Sequence, residues 1–298
     1  MSRYPGFRVK GGLIVRQAAS PTVRRRRLAS ELRRLRERAQ LTMEEVGEQL
    51  GWSATKISRI ETARVRVGLK DTECLLDLYA VDPAKQGELI DLAKDARKKG
   101  WWQAYGDLPA EYTTYIGLEA EAASMRSFAP TVLPGILQTE DYARAVIRSA
   151  LFVSSPGEIE RRVEVRMARQ GLLVRDEPLR LWVVLDEAVV RRPVGGSAVM
   201  RSQLERLLDA ADLPNVTVQV LPFAVGVHPG TNGAFAIMEF PEPADPDVVF
   251  MENFTGSLYI EREKDVHQYT MIFDHLRAKA LDPDDSRRFI ADTVVQFE

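Results

Sequence analysis

The chain has 298 residues, and this length predicts two domains. With 45% apolar and 28% charged residues, the composition is that of an ordinary globular protein. No apolar run approaches the roughly 18 to 20 residues that a membrane span needs, and the run GGLIV near the N-terminus is too short for the core of a signal peptide. We therefore expect a cytoplasmic protein with no membrane partner.

The net charge of −2 hides a large difference between the two ends of the chain. Residues 1–70 hold 17 Lys and Arg against 6 Asp and Glu, whereas residues 71–298 hold 24 against 37. The pattern predicts a basic module for a polyanion, joined to an acidic module with another function.

A flexible arm over residues 1–19 and a five-helix domain over residues 20–99 are the first predicted elements. The arm lacks hydrophobic periodicity. The first helix is predicted to begin after Ser20, because serine is a good cap and the proline that follows suits the first helical position. The fourth helix is predicted to start near Asp71 and the fifth at Pro83.

The second and third helices carry clear capping signals. Thr42 and Glu45 have the spacing of a capping box, and Gly51 suits the left-handed turn that ends a helix. Ser53 is predicted to cap the third helix. Two short helices hinged at a glycine in this way predict a helix-turn-helix.

The third helix has two different sides when its residues are placed at about 100° intervals. Ile57 and Ile60 form the apolar side. The opposite side and its flanks are polar and comprise Thr55, Lys56, Ser58, Arg59 and Thr62. Such a face suits a DNA major groove, which is about 12 Å wide. A helical hairpin with a solvated face is the alternative, and the caps and the basic charge favour double-stranded DNA as the partner.

Four consecutive arginines lie in the first turns of the first helix, namely Arg24, Arg25, Arg26 and Arg27. They oppose the helix dipole, whose positive end lies there. Contact with DNA phosphates would explain their position, and a solvated face is the alternative.

Residues 100–298 are predicted to form an α+β domain. Helices are expected near residues 111–127, from residue 139 onward, and near 157–172, 198–211, 264–280 and 284–296. Alternating runs are predicted to be strands at residues 179–187, 216–223, 233–240, 247–253 and 257–261. Successive strands with helices at both ends indicate a mainly antiparallel sheet. The predicted fold class is therefore an all-α helix-turn-helix domain followed by an α+β domain.

No catalytic constellation is recognised in the sequence. His228, His267 and His275 are the only histidines, and none has the spacing of a metal-ligand pair. No nucleophile, base and orienting group are found together. We expect no enzymatic activity, no metal and no cofactor.

The run LRRLRERAQLTMEEVGEQLGWSATKISRIETARV resembles the helix-turn-helix of the Cro/repressor (Xre) class, and the resemblance covers about residues 23–82. It implies that Ala54, Thr55 and Arg59 read bases and that Ser53 lies beside a phosphate. An arginine that reads a guanine contributes roughly 1 to 3 kcal/mol of discrimination, so Arg59 is expected to be the main specificity residue.

The same resemblance implies roles for residues around the third helix. Arg64 and Arg66 match positions that contact the DNA backbone. Arg36 and Glu61 match an ion pair that bridges the first helix to the recognition helix. Thr and Ala at residues 62–63 stand where the class commonly has Asn-Gly, so the geometry of this turn is left open.

Several dispersed motifs after Gly100, among them GWW, LPGILQTEDYARA and PNVTVQVLPF, resemble the domain of unknown function that follows an Xre helix-turn-helix in many actinobacterial, WhiJ-like regulators. Members are similar to antitoxins in organisation and are often encoded beside a small partner protein.

We therefore expect a homodimeric transcriptional regulator that is controlled through residues 100–298. Its two recognition helices, about 34 Å apart, would read a pseudo-palindromic operator. The alternative is an antitoxin-like interaction module that binds the small neighbour-encoded protein, with DNA binding as autoregulation.

Overall fold

The computed structural model describes residues 21–98, 100–106, 108–150, 155–242, 245–253 and 255–297. The arm predicted for residues 1–19 and the predicted cap Ser20 lie outside them. The described residues divide into two compact units. The helical unit extends to Gln103 and adds Tyr112–Glu121, and the α+β unit comprises Ala104–Glu111 and the residues from Ala122 onward. Each unit is described by itself.

The helices before residue 122 are α1 (Pro21–Arg38), α2 (Met43–Leu50), α3 (Ala54–Glu61), α4 (Leu69–Leu78), α5 (Pro83–Asp95), a 3-10 helix (Trp101–Tyr105) and α6 (Ala110–Glu121). The apolar stripes of α1 to α5 meet in one core. Its members include Leu32, Val46, Ile57, Leu76 and Leu89, each no more than 2% exposed. Burial of these stripes stabilises helices as short as α2 and α3, which would be marginal alone in water.

Several helices of this unit end in a left-handed residue. Gly51 follows α2 with φ 68°, as predicted. Gln40 after α1, Ala63 after α3 and Ala80 after α4 also have positive φ, at 58°, 54° and 50°. A left-handed conformation costs a non-glycine residue roughly 1 to 2 kcal/mol, so the turn that the sequence left open at Ala63 is strained.

The α+β unit contains one six-stranded sheet. The strands are β1 (Ser124–Ala129), β2 (Arg180–Asp186), β3 (Val216–Leu221), β4 (Phe235–Glu239), β5 (Val248–Asn253) and β6 (Gly256–Ile260), in the spatial order β3-β2-β1-β4-β5-β6. β2 pairs parallel with both β1 and β3, and the other three pairings are antiparallel. The prediction of an α+β domain with a mainly antiparallel sheet is confirmed.

Helices connect the parallel strands and cover the sheet. They are α7 (Glu140–Arg148), α8 (Pro156–Arg169), α9 (Glu187–Arg191), α10 (Ser197–Ala211), α11 (Glu263–Lys279) and α12 (Pro283–Val295). Short 3-10 helices lie at Gly135–Leu137, Gln170–Leu173, Phe223–Val225 and Pro229–Asn232. α11 packs on one face of the sheet, where Phe273 joins a core cluster with Phe128 and Val184. The two parallel pairings follow from helical crossovers, since parallel neighbours require such connections.

The predicted helix over residues 111–127 is wrong from residue 122 onward. α6 ends at Glu121, and β1 occupies the middle of the sheet. Five of the six residues of β1 are buried, since the strand is covered on both faces. Such a strand lacks the alternation of polar and apolar residues by which strands are recognised.

Candidate nucleic-acid interface

The corner between α2 and α3 is fixed by local hydrogen bonds. The Glu45 amide donates to the Thr42 hydroxyl at 3.2 Å, and the Thr42 amide donates to the Glu45 carboxylate at 2.7 Å, so the predicted capping box is confirmed. Ser53 accepts from the amide of Lys56 at 3.2 Å and caps α3. These bonds satisfy amides that a helix start leaves without partners.

Gly47 lets α2 and the start of α3 approach closely. A Cβ atom at this position would lie 2.6 Å from the carbonyl oxygen of Trp52 and 3.5 Å from the amide nitrogen of Ala54. A separation of 2.6 Å is too short for a side chain, and the obstacle is backbone. Glycine at this position therefore sets the crossing of the two helices.

The two sides of α3 differ in exposure. Ile57 and Ile60 are 1% and 3% exposed and anchor the helix in the core. Ser53, Thr55 and Arg59 are exposed, and Ala54 is half-buried. The residues proposed to read bases therefore share one helix whose other side is fixed in the core.

The remaining polar residues of the predicted face make contacts within the protein. Lys56 forms an ion pair with Asp71 of α4 at 2.9 Å, and its ammonium lies 3.5 Å from the centre of the Trp52 ring. The Thr62 hydroxyl donates to the carbonyl of Ser58 at 2.7 Å and so closes the end of α3. Lys56 thus contacts Asp71 and Trp52 of its own protein. Ser58 takes part through its backbone carbonyl.

The loop after α3 exposes two more cations, Arg64 and Arg66. The amides of Arg64 and Val65 both donate to the carbonyl of Arg59, at 2.9 and 3.3 Å, so the loop folds back on the end of the helix. Among the described residues, no ion pair or side-chain hydrogen bond engages the guanidinium group of Arg59, Arg64 or Arg66. We call these three the exposed arginines.

A buried ion pair ties α1 to α3. Arg36 donates from Nε and Nη2 to the two carboxylate oxygens of Glu61, at 2.7 and 2.9 Å, and from Nη1 to the carbonyl of Leu41 at 2.8 Å. Arg36 and Glu61 are each 8% exposed. The hydrogen bond to Glu61 raises the pKa of Arg36, and burial of the guanidinium opposes that rise. The pair holds α3 against α1.

The run Arg24 to Arg27 is partly engaged inside the protein. All four side chains are half-buried. Arg24 forms an ion pair with Asp95 of α5. Burial lowers the pKa of Arg25, and the positive charges of Arg66 and Arg26 lower it further. The run is therefore not a freely solvated face, and contact of all four residues with phosphates stays a prediction.

The three histidines of the sequence lie in the α+β unit. His228 is 9% exposed, with Nε2 at 3.7 Å from a carboxylate oxygen of Asp186 and its ring edge-on to Phe128. His267 and His275 are exposed on α11. The described residues contain no group of three or more His, Cys, Asp or Glu side chains placed to hold a metal ion. Every helix in the described part of the chain is too short or too polar to span a bilayer.

Comparison with known proteins gives two family matches. Residues 27–89 match a family described as "Helix-turn-helix domain". Residues 112–292 match a family described as "Domain of unknown function (DUF5753)". Neither the curated proteins nor the solved structures give a match. Since the second family match extends over more than half of the sequence and follows the helix-turn-helix domain, the chain belongs to the DUF5753 family.

Proposed function

We propose that the protein is a sequence-specific regulator of transcription that binds double-stranded DNA through α3, in the manner of the Xre class. One observation carries this proposal, namely the exposed polar side of a capped helix that is fixed in the core by Ile57 and Ile60 on its other side. A helix presented in this way can enter a major groove with its N-terminal residues against the bases.

The chemistry of each group assigns its role. Arg59 would donate two hydrogen bonds to the O6 and N7 atoms of a guanine, whereas the methyl group of Ala54 offers only an apolar contact to a thymine. Arg64 would contact a phosphate, which positions the protein without reading sequence. The rigid corner that Gly47 and the Arg36–Glu61 pair maintain would keep these groups in fixed relative positions.

We further propose a homodimer. Helix-turn-helix dimers read two half-sites about 34 Å apart, so the operator would be a pseudo-palindrome. The α+β unit would control this activity without catalysing a reaction and without a cofactor.

Selection of bound duplexes from a random library would yield the operator, and Arg59→Ala would then test the assignment. We expect this variant to lose roughly 1 to 3 kcal/mol of affinity for the selected site and little affinity for unrelated DNA. Arg34→Ala is the control, because Arg34 is an exposed arginine of α1 that pairs with Glu31. Equal losses on both DNAs would refute base reading by Arg59, and failure to select any consensus would refute the function.

A second candidate is an antitoxin-like module that binds a small neighbour-encoded protein. It is supported by two exposed apolar side chains in the segment after β3, Phe223 at 57% and Val227 at 88% exposure. Large apolar side chains at the surface are common anchors of protein interfaces. Co-expression with the neighbouring gene should yield a complex of fixed stoichiometry that Phe223→Asp disrupts. A chain that purifies alone would count against this candidate.

A further inference from the structure

A small cavity in the helical unit brings two arginines together. It measures about 110 Å³ and is lined by side chains from several segments of this unit. Arg25 of α1 and Arg66 of the loop after α3 are its cations, and Gln103, Thr113 and Thr114 contribute amide and hydroxyl groups. None of the lining side chains that the structure describes is a carboxylate. The described lining therefore carries positive charge, and Ala96 and Trp102 add an apolar part.

Among the described residues that line the cavity, no acidic side chain compensates the two cations. The Nε atom of Arg25 is buried and has no hydrogen-bond partner among the described residues. A buried donor without a partner destabilises the folded state, and a like charge nearby adds to that penalty. The positive charge of Arg66 lowers the pKa of Arg25 and so disfavours its charged form. An anion between the two guanidinium groups would relieve both costs.

The start of α1, which contributes Arg25 to the cavity, also favours a negatively charged ligand. α1 begins at Pro21, and Arg25 lies in its first turns. The start of a helix carries a partial positive charge and attracts anions. The side-chain amide of Gln103, from another segment of the unit, adds a neutral donor of the kind that oxyanion sites commonly have.

The size of the cavity limits the ligand. A single water molecule needs roughly 10 to 15 Å³ by this measure, and a cavity of about 150 Å³ holds benzene. The space of about 110 Å³ thus has room for the head of one tetrahedral oxyanion. A DNA phosphate carries a sugar on both sides, whereas free phosphate or a phosphate monoester has at least one unhindered end.

We propose that this cavity binds a small phosphate-class oxyanion, held by Arg25 and Arg66. The site is separate from base reading by α3. It places a small-molecule ligand beside the loop that connects α3 to α4, and the side chain of Arg66 belongs to both that loop and the cavity.

Calorimetric titration of the DNA-free full chain with inorganic phosphate, against chloride at matched ionic strength, tests the proposal. We expect saturable binding at one site. Arg25→Gln and Arg66→Gln should each weaken it by about tenfold or more, since each removes a charge-assisted hydrogen bond. Arg64→Gln is the matched control, because Arg64 is an exposed arginine of the same loop and does not line the cavity. Its phosphate affinity should stay within about twofold of the original.

The outcomes are distinguishable from those of DNA binding, because no DNA is present. No saturation at tens of millimolar phosphate, or equal affinity in Arg66→Gln and the original chain, would overturn the proposal. Arg66→Gln keeps the test valid if Arg25→Gln does not fold, since Arg66 is exposed. A short duplex is the second probe. If Arg25→Gln loses affinity for the duplex while phosphate never binds, the cavity serves the DNA backbone and the small-anion site is refuted.

Discussion

Two groups of arginines in the helical unit have the same charge and different surroundings. The exposed arginines Arg59, Arg64 and Arg66 lie on α3 and in the loop that follows it, and Arg66 also lines the cavity. The run Arg24 to Arg27 at the start of α1 is the denser cationic group in the sequence, and each of its side chains is half-buried. Arg24 already has Asp95 as a partner, and Arg25 is turned toward the cavity that it shares with Arg66.

Local charge density therefore does not show which charges are available to a polyanion. A cation that is paired within the protein must break that contact before it can bind a phosphate. A solvated arginine releases only water and counterions, and this release is what makes DNA binding salt-dependent. The sparser group is therefore the better candidate for contact with DNA.

The largest expected effect concerns an arginine that is wholly internal. Arg36→Met leaves the carboxylate of Glu61 buried without its partner, which should lower the free energy of unfolding by about 3 to 5 kcal/mol. The control is Arg33→Met, whose exposed pair with Glu37 should contribute about 0 to 1 kcal/mol. Urea denaturation measures both. Similar losses of unfolding free energy in the two variants would mean that burial of an ion pair does not determine its contribution to stability.

The next effect tests the corner that orients the exposed arginines. Gly47→Ala places a methyl group against the Trp52 carbonyl, and overpacking of this kind costs roughly 1 to 3 kcal/mol. Gly87→Ala in α5 is the matched control, since nothing lies within 4 Å of its added Cβ. That substitution should stabilise the protein by about 0.5 to 1 kcal/mol through helix propensity. Thermal unfolding of both variants should give shifts of opposite sign, and a stabilising Gly47→Ala would contradict the close crossing.

The sequence predicts the α2–α3 corner well because its determinants are local. Thr42 and Glu45 are three residues apart, and Gly51 and Ser53 adjoin the hinge that they control. Each of these signals acts through the backbone of its own turn, so no distant residue needs to be known. The helix start at Pro83 and the helix cap at Thr139 follow from the same kind of signal.

The features that the sequence does not reveal depend on distant partners. Asp95 lies 71 residues from Arg24, and no local pattern pairs them. β1 is a strand because Ser124 pairs with Arg180 on one side and Glu239 on the other. The cavity likewise combines Arg25 with Thr113 of α6, so only tertiary structure shows it. Distant packing thus decides which polar residues remain available for function.

The salt dependence of DNA binding compares the two arginine groups directly. Each phosphate contact contributes about 0.9 to the slope of log affinity against log salt concentration. Arg64→Gln should reduce the slope by about that amount, whereas Arg24→Gln should leave it unchanged because Asp95 already holds Arg24. Titration of one duplex at several salt concentrations measures the slope. If Arg24→Gln reduces the slope and Arg64→Gln does not, the run Arg24 to Arg27 is the main phosphate contact.

The last prediction concerns Glu45, an exposed charge that is hydrogen-bonded within the protein. Glu45 is exposed, yet hydrogen bonds from the backbone amide and the hydroxyl of Thr42 lower its pKa from the ordinary value of 4.5. The ionised form is therefore favoured in the folded state. Its contribution to stability is complete above the unfolded pKa and disappears as the pH falls through the lower folded pKa. Glu45→Gln should reduce stability at neutral pH, and the difference from the original chain should vanish toward acid. Glu44→Gln is the control, since no hydrogen bond to that side chain occurs within the described ranges. If the difference in stability for Glu45→Gln persists at low pH, the charge of Glu45 is not the source of the stabilisation by the capping box.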